Sequence, residues 1–166
     1  MTNLYPVFLR LEKQPCLVVG GGRVALRKIR RLREAGADVT VISPDLHPEL
    51  VQNDVIWINR AYEPGDVVRI RPVLVFAATN RPAVNRLVRQ EAEEAGVWVN
   101  QADDPDGCRF MVPASVDRPP FHLAVSTGGT DPALAAALRR ALEADLADGG
   151  QRFVTLLRTT LEPPES

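Results

Sequence analysis

The sequence predicts an α/β chain: a doubly wound parallel sheet, then a β-hairpin, then C-terminal helices. Three observations carry this. Pro15 to Lys28 reads as a buried strand, a glycine turn and the start of a helix. From there to Gly107, short apolar runs alternate with helix-length segments, the pattern of parallel strands joined by crossovers. After Gly107 two strand-like runs follow each other with only Asp117-Arg118-Pro119-Pro120 between them. The expected division is a dinucleotide-binding domain over 1–107, a hairpin region for dimerisation and substrate contact over 108–131, and a short helical segment over 132–166.

Residues 1–14 carry Leu4, Val7, Leu9 and Leu11 in partial alternation, either a short strand or an arm packed on the domain. The strand Cys16 to Val19 then stops at three glycines. Gly20, Gly22 and Ala25 fill the small positions of the fingerprint G-x-G-x-x-G/A that marks a Rossmann-type turn. In that turn Gly20 permits the sharp bend, Gly22 lets backbone approach a pyrophosphate, and Ala25 lets the helix lie close on the strand, with the free N–H groups of the helix start aimed at the anion. A βα turn without a ligand is the competing reading. The helix runs from Arg23 to Ala35 and should turn Val24, Ala25, Ile29, Leu32 and Ala35 to the sheet and Arg27, Arg30, Arg31 and Arg33 outward, with Gly36 ending it. Those arginines read as a solvated face.

A second strand, Asp38 to Ile42, ends in Ser43-Pro44-Asp45, where this fold places a group for the adenosine ribose. No arginine follows at once to clamp a 2′-phosphate, which favours NAD over NADP. Val55 to Ile58 is a short third strand and Tyr62-Glu63-Pro64-Gly65 a turn. The strand Val73 to Ala77 runs into Ala78-Thr79-Asn80, and Pro82 opens a helix that ends at Gly96. Val97 to Val99 is the next strand, followed by the acidic stretch Asp103, Asp104 and Asp106. In a doubly wound sheet the carboxyl ends of the first, fourth and fifth strands meet at one crevice, so Gly20 to Gly22, Ala78-Thr79 and Asp103 should converge. Phe110 to Val116 and Phe121 to Ser126 form the hairpin, which needs the parent sheet or a second subunit to be stable. Thr130 or Asp131 caps a helix over Ala133 to Leu146, Gly149-Gly150 breaks it, and Gln151 to Leu161 forms one more short helix before a frayed end.

Composition narrows the function classes. The 166 residues are 45% hydrophobic and 25% charged, enough for a sizeable core. A net charge of −1 gives no bulk attraction to nucleic acid. No apolar run of membrane-spanning length and no leader are visible, which makes the cytoplasm the default location. Of the 20 cationic residues all but Lys13 and Lys28 are arginine, the better partner for carboxylates. Cys16, Cys108, His47 and His122 lack ligand spacing, so no metal site is expected.

Several stretches together resemble one family. Tyr5-Pro6-Val7-Phe8, Val18 to Lys28, Val39 to Pro44, Ala77-Ala78-Thr79-Asn80, Asn100 to Asp103 and Val125 to Thr130 occur in the order seen in precorrin-2 dehydrogenases, the dehydrogenase and ferrochelatase modules of siroheme synthases. The resemblance implies NAD-dependent oxidation of precorrin-2 to sirohydrochlorin. It places the cofactor on Gly20, Gly21, Gly22, Arg23 and Val24, on Ser43, Pro44 and Asp45, and on Ala78 and Thr79, and it places the catalytic carboxylate at Asp103. Substrate contacts fall on Asn100, Arg109, Arg118, Ser126, Thr127, Gly128 and Gly129, and a homodimer forms through the hairpin and the helix after it. Some members also insert Fe2+ or Co2+, the same carboxylate taking pyrrole protons. Relatives usually continue beyond the position of Ser166, which implies a truncated chain or one completed by its partner subunit, and Thr127 and Asp131 stand where serines are frequent.

The chemistry agrees with that placement. Hydride loss from a reduced tetrapyrrole is accompanied by proton loss, so a carboxylate at the crevice serves as base, and crowding by Asp104 and Asp106 offers a way to tune it. The residues alone favour an ordinary acidic turn, and the resemblance reverses that choice for Asp103 only. A macrocycle ringed by carboxylates calls for cations, and Arg23, Arg81, Arg109 and Arg118 follow predicted strand ends. Two other functions compete: a non-catalytic NAD-binding redox sensor, which needs the glycine turn but not Asp103, and a dehydrogenase for a small metabolite, which needs a narrow pocket without convergent arginines.

Overall fold

A computed structural model describes residues 4–50, 55–104, 107–119 and 121–152. The chain divides into two compact units, Val7–Met111, and Met1–Pro6 with Val112–Ser166.

The first unit is built on a five-stranded, all-parallel sheet. Its strands are β1 (Pro15–Val19), β2 (Asp38–Ile42), β3 (Ile56–Ile58), β4 (Leu74–Ala77) and β5 (Trp98–Gln101), in the order β3-β2-β1-β4-β5. Central β1 is apolar on both faces because both are covered. Cys16 and Val18 look toward α1 (Arg23–Glu34), while Leu17 and Val19 join Val75, Ala77 and Val99 under α3 (Pro82–Glu94), which presents Val88 and Ala92. Chain order reverses between β1 and β4, where Val19 lies beside Ala77 in register. Ligands of doubly wound sheets bind at the carboxyl ends of strands on either side of such a reversal.

Several boundaries differ from expectation for identifiable reasons. Residues 4–10 form an exposed arm with no strand, and only Leu11 reaches the core. In α1 the buried positions are Ala25, Leu26, Ile29 and Leu32. Val24 is exposed because it lies in the first turn, beyond the strand ends, and Ala35 is exposed at the C-cap. Strand β5 continues through Asn100 and Gln101, since Phe76 and Ala77 of β4 give both a parallel partner. A short helix not visible in the pattern, α2 (Asp66–Ile70), follows Gly65. Its N-terminus is capped from a distance: the Glu91 carboxylate of α3 accepts from the N–H groups of Gly65 and Val67 at 3.0 and 3.1 Å and from the Tyr62 hydroxyl. Asp66, 1% exposed, accepts from Arg60 at 2.7 and 2.8 Å and from Arg69 at 2.9 Å.

The second unit contains the antiparallel hairpin β6 (Ala114–Arg118) and β7 (Phe121–Val125) and the helix α4 (Pro132–Ala147). The first hairpin strand starts at Ala114, not Phe110. Phe110 belongs to the other unit, where its ring meets Phe76 edge-on with centroids 5.5 Å apart. Asp117 and Arg118 are strand residues opposite His122 and Phe121. Among the described residues of this unit, Val116, Ala135 and Leu146 are the buried apolar side chains. Asp131 is the N-cap of α4, its carboxylate accepting from Leu134 N–H at 2.8 Å. The short helix expected over Gln151 to Leu161, like Asp106, lies for the most part outside the described residues. Among the described residues no helix is long and apolar enough to cross a membrane, and no group of three or more His, Cys, Asp or Glu side chains is arranged to hold a metal ion.

Candidate functional site

The carboxyl edge of the sheet is assembled around the glycine turn. Gly20 has φ +116°, and a Cβ there would sit 2.4 Å from the Ala78 carbonyl, so only glycine lets β1 leave the sheet alongside the end of β4. At Gly21 a Cβ would sit 2.0 Å from the Asp45 carbonyl and 2.9 Å from Ser43 Oγ, and the Gly21 carbonyl accepts from His47 N–H at 2.8 Å. The loop after β2 is thereby clasped against the turn. Ser43 is buried, while Pro44 and Asp45 are exposed, so Asp45 presents an exposed carboxylate at this end. Trp57 Nε1 donates to the Ser43 carbonyl at 2.9 Å.

Gly22 is different: a Cβ there would meet nothing within 4 Å. It is the N-cap of α1, which has no side-chain cap and no acidic residue in its first turn, and Arg23 is exposed at the first helical position. Open backbone N–H groups, open space and a cation fit a pyrophosphate.

The end of β4 leads to Asp103 through one buried side chain. Asn85, in the first turn of α3 and fully buried, accepts from Thr79 N–H at 3.0 Å and from Thr79 Oγ1 at 2.7 Å, and its Nδ2 donates to the Thr79 carbonyl at 3.1 Å and to Asp103 Oδ1 at 2.7 Å. Ala102 N–H donates to the Ala77 carbonyl at 2.9 Å, which fixes the start of the turn carrying Asp103. Asp103 is exposed. Neighbouring Asp104 is engaged otherwise, accepting from Arg89 at 2.8 Å and from Gly107 N–H at 3.3 Å. It thus closes its own turn. Gln101 is 3% exposed, and its Oε1 has no partner among the described residues.

On the opposite face of the sheet Lys28 donates to Asn100 Oδ1 at 2.6 Å and lies 4.9 Å from the centroid of the Phe76 ring, and Asn100 Nδ2 donates to the Phe110 carbonyl at 3.1 Å. Burial, with Arg27 nearby, brings the Lys28 amine down to about 8. Burial also raises the Cys108 thiol. Asn100 is 9% exposed and has both ends of its amide committed to the protein, which makes it part of the frame.

The structure thus brings together Gly20 to Gly22, Arg23, Ser43 to Asp45, Ala78, Thr79 and Asp103 within the first unit. Arg81, the N-cap residue of α3, is exposed beside Thr79, whose Oγ1 accepts from Arg81 N–H at 3.1 Å, and Arg109 is exposed after β5. Arg118 and Ser126 to Gly129 belong to the second unit. There Thr127 Oγ1 accepts from Asp131 N–H at 3.1 Å, Gly128 N–H donates to Ser126 Oγ at 3.1 Å, and Thr130 Oγ1 donates to the Thr127 carbonyl at 2.6 Å. The sequence reading missed Asn85 and gave Lys28 no role. A signal existed for each: Asn85 sits on the stripe of Val88 and Ala92, and Lys28 is one of two lysines among the 20 cationic residues.

Comparison with known proteins adds the following. Residues 7–114 match the model of a family described as "Putative NAD(P)-binding". A siroheme synthase of Methylobacillus flagellatus is 46% identical over 142 residues, 83% of this chain and 30% of that protein, and one of Thioalkalivibrio sulfidiphilus is 43% identical over 159 residues, 93% of this chain and 32% of that protein. The chain spans about a third of the length of these relatives. Among solved structures, one titled "SirC, precorrin-2 dehydrogenase" superposes with a TM-score of 0.72 at 28% identity, covering 86% of this chain and 71% of that one.

Proposed function

The chain belongs to the NAD(P)-binding family whose model it matches, as a counterpart of the N-terminal module of siroheme synthases, and on that premise we propose that it is an NAD-dependent precorrin-2 dehydrogenase. The observation that carries this reading is the shared edge: an open glycine cradle at Gly22 and an exposed, anchored carboxylate at Asp103, linked through Gly20, Ala78, Thr79 and Asn85. Bound NAD supplies a hydride acceptor. Gly20 to Val24 receive the pyrophosphate, Ser43, Pro44 and Asp45 border the adenosine ribose with Asp45 offering the exposed carboxylate, and Ala78 and Thr79 floor the nicotinamide side. The substrate loses a hydride and a proton, becoming sirohydrochlorin, and Asp103 takes the proton. Within the first unit Arg23, Arg81 and Arg109 answer the substrate's carboxylates; Arg118 and Ser126 to Gly129, in the second unit, are offered as further substrate contacts in their own right. Asn100 acts by holding the strand that carries Asp103.

The proposal assigns residues 1–107 to the cofactor and 108–131 to dimerisation and substrate contact in a cytoplasmic homodimer. Metal insertion at the same carboxylate, with Fe2+ or Co2+ as substrate, is a separable second activity. The test is anaerobic incubation with precorrin-2 and NAD. NADH absorbance should rise together with sirohydrochlorin in the native chain and stay flat in Asp103→Ala, which should still bind NAD. Equal NADH formation in the two proteins would overturn the reading. Adding Fe2+ or Co2+ afterwards reports chelation on its own.

A further inference from the structure

Asn85 has every hydrogen-bonding position of its amide filled: two acceptor sites by Thr79 N–H and Thr79 Oγ1, two donors by the Thr79 carbonyl and Asp103 Oδ1. Its orientation is not free. Turning the amide over would set its NH2 against the Thr79 N–H and its oxygen against the Thr79 carbonyl, losing both backbone bonds of a fully buried side chain. The Thr79 backbone therefore dictates that an N–H faces Asp103. The oxygen that accepts from this N–H has one of its two lone pairs occupied and its negative charge partly answered, whereas Oδ2 has no partner among the described residues, which makes Oδ2 the more basic of the two.

From this we infer that Asn85 is a positioning residue for Asp103 and decides which carboxylate oxygen takes the proton. The assignment rests on the reading of Asp103 as the base. In the reaction a bond from hydrogen to a substrate atom breaks and an O–H bond forms at Oδ2, leaving the electron pair on the substrate, while the hydride goes to NAD; Oδ1 keeps its bond to Asn85 throughout. The arrangement also couples the base to the cofactor floor. Thr79, which orients Asn85, follows Ala78, whose carbonyl packs on Gly20. The edge thus runs from close backbone packing at Gly20 and Ala78 through hydrogen bonds from Thr79 to Asn85 to Asp103.

Two measurements test it. In the protein without cofactor or substrate, 15N NMR of the Asn85 side chain should show both amide protons protected from exchange, and Asp103→Ala should move one of the two and leave the other in place. Free exchange of both, or no movement of either, overturns the inference without reference to activity. Asn85→Asp keeps the shape and the acceptor for Thr79 but removes the donor. Its kcat should fall about 10–100-fold while the NAD dissociation constant and the substrate KM stay within about twofold. The acid limb of its kcat profile should move to higher pH, because a second carboxylate beside the first opposes ionisation. A wild-type rate and a wild-type acid limb in a folded Asn85→Asp protein overturn the inference while leaving the dehydrogenase reading intact. Absence of NADH formation in the wild-type chain overturns that reading, and the NMR measurement then still decides whether Asn85 anchors Asp103. Should Asn85→Asp not fold, Asn85→Ser carries the same kinetic comparison.

Discussion

Two polar clusters under the same face of the sheet are built from similar side chains and end up opposite in character. Around α2, Asp66 is buried between Arg60 and Arg69, and the Glu91 carboxylate is spread over the start of the helix and the Tyr62 hydroxyl. Every charge there is answered. At the carboxyl edge, Asn85 is just as buried and just as satisfied, yet it passes one donor on to a carboxylate that stays exposed. The difference separates a structural acid from the one proposed as base: the first is enclosed by its partners, the second is held at one oxygen and exposed. The helix starts differ in the same way: α2 and α4 are capped by Glu91 and Asp131, α3 opens on Pro82, which has no N–H to cap, and α1 begins at Gly22 with neither a side-chain cap nor a proline.

This contrast can be broken at either cluster. The largest effect is expected at the open one, where Asp103→Ala should lower turnover by about 10²- to 10⁴-fold with little change in melting temperature. At the closed cluster Asp66→Ala should do the reverse, costing roughly 3 kcal/mol of stability in denaturant titration because a buried pair is broken. The acid dependence should change with it. Arg60 beside Asp66 holds its carboxyl below the ordinary 3.8, so the folded state gains stability above that value and loses it as pH falls toward the lower folded value. Asp66→Ala should lack that acid-side loss. Gly22→Ala sharpens the comparison further, since a methyl group there meets no atom of the protein. It should weaken NAD binding about tenfold in calorimetry while altering stability by less than about 1 kcal/mol.

The smallest effect belongs to Lys28. Its amine gives up its proton at about 8 when folded and at the ordinary 10.5 when unfolded. Unfolding therefore takes up a proton between these values, and stability rises with pH across that window and is lost again as pH falls through about 8. Lys28→Met should flatten this rise, by on the order of 1 kcal/mol after allowance for the side chain's partial exposure.

How much of this was legible in the sequence differs along the chain. Strand β1, α1, α3 and the turn between β1 and α1 are local patterns, written in Cys16 to Val19, in the stripe through Ala25, Ile29 and Leu32, and in three consecutive glycines. The α/β class followed from them, and the parallel sheet has that architecture. Helix α2 was not legible because its five residues are held by Glu91, more than twenty positions away. The start of β6 was misjudged because Phe110 is as apolar as a strand residue but spends that apolarity on Phe76. At the candidate site the glycines and Asp103 stand out as residue types at fixed spacings. Asn85 does not, because a polar residue on a buried stripe has meaning only once its partners are known.

The bond from the Trp57 indole to the Ser43 carbonyl ties an intrinsic fluorophore to the loop clasped against Gly21. The chain has only one other tryptophan, Trp98, on the far edge strand of the sheet. With Trp98 replaced by phenylalanine, the remaining tryptophan emission would come from Trp57 in β3, hydrogen-bonded to that loop, so an optical titration can follow the loop's surroundings without any attached dye.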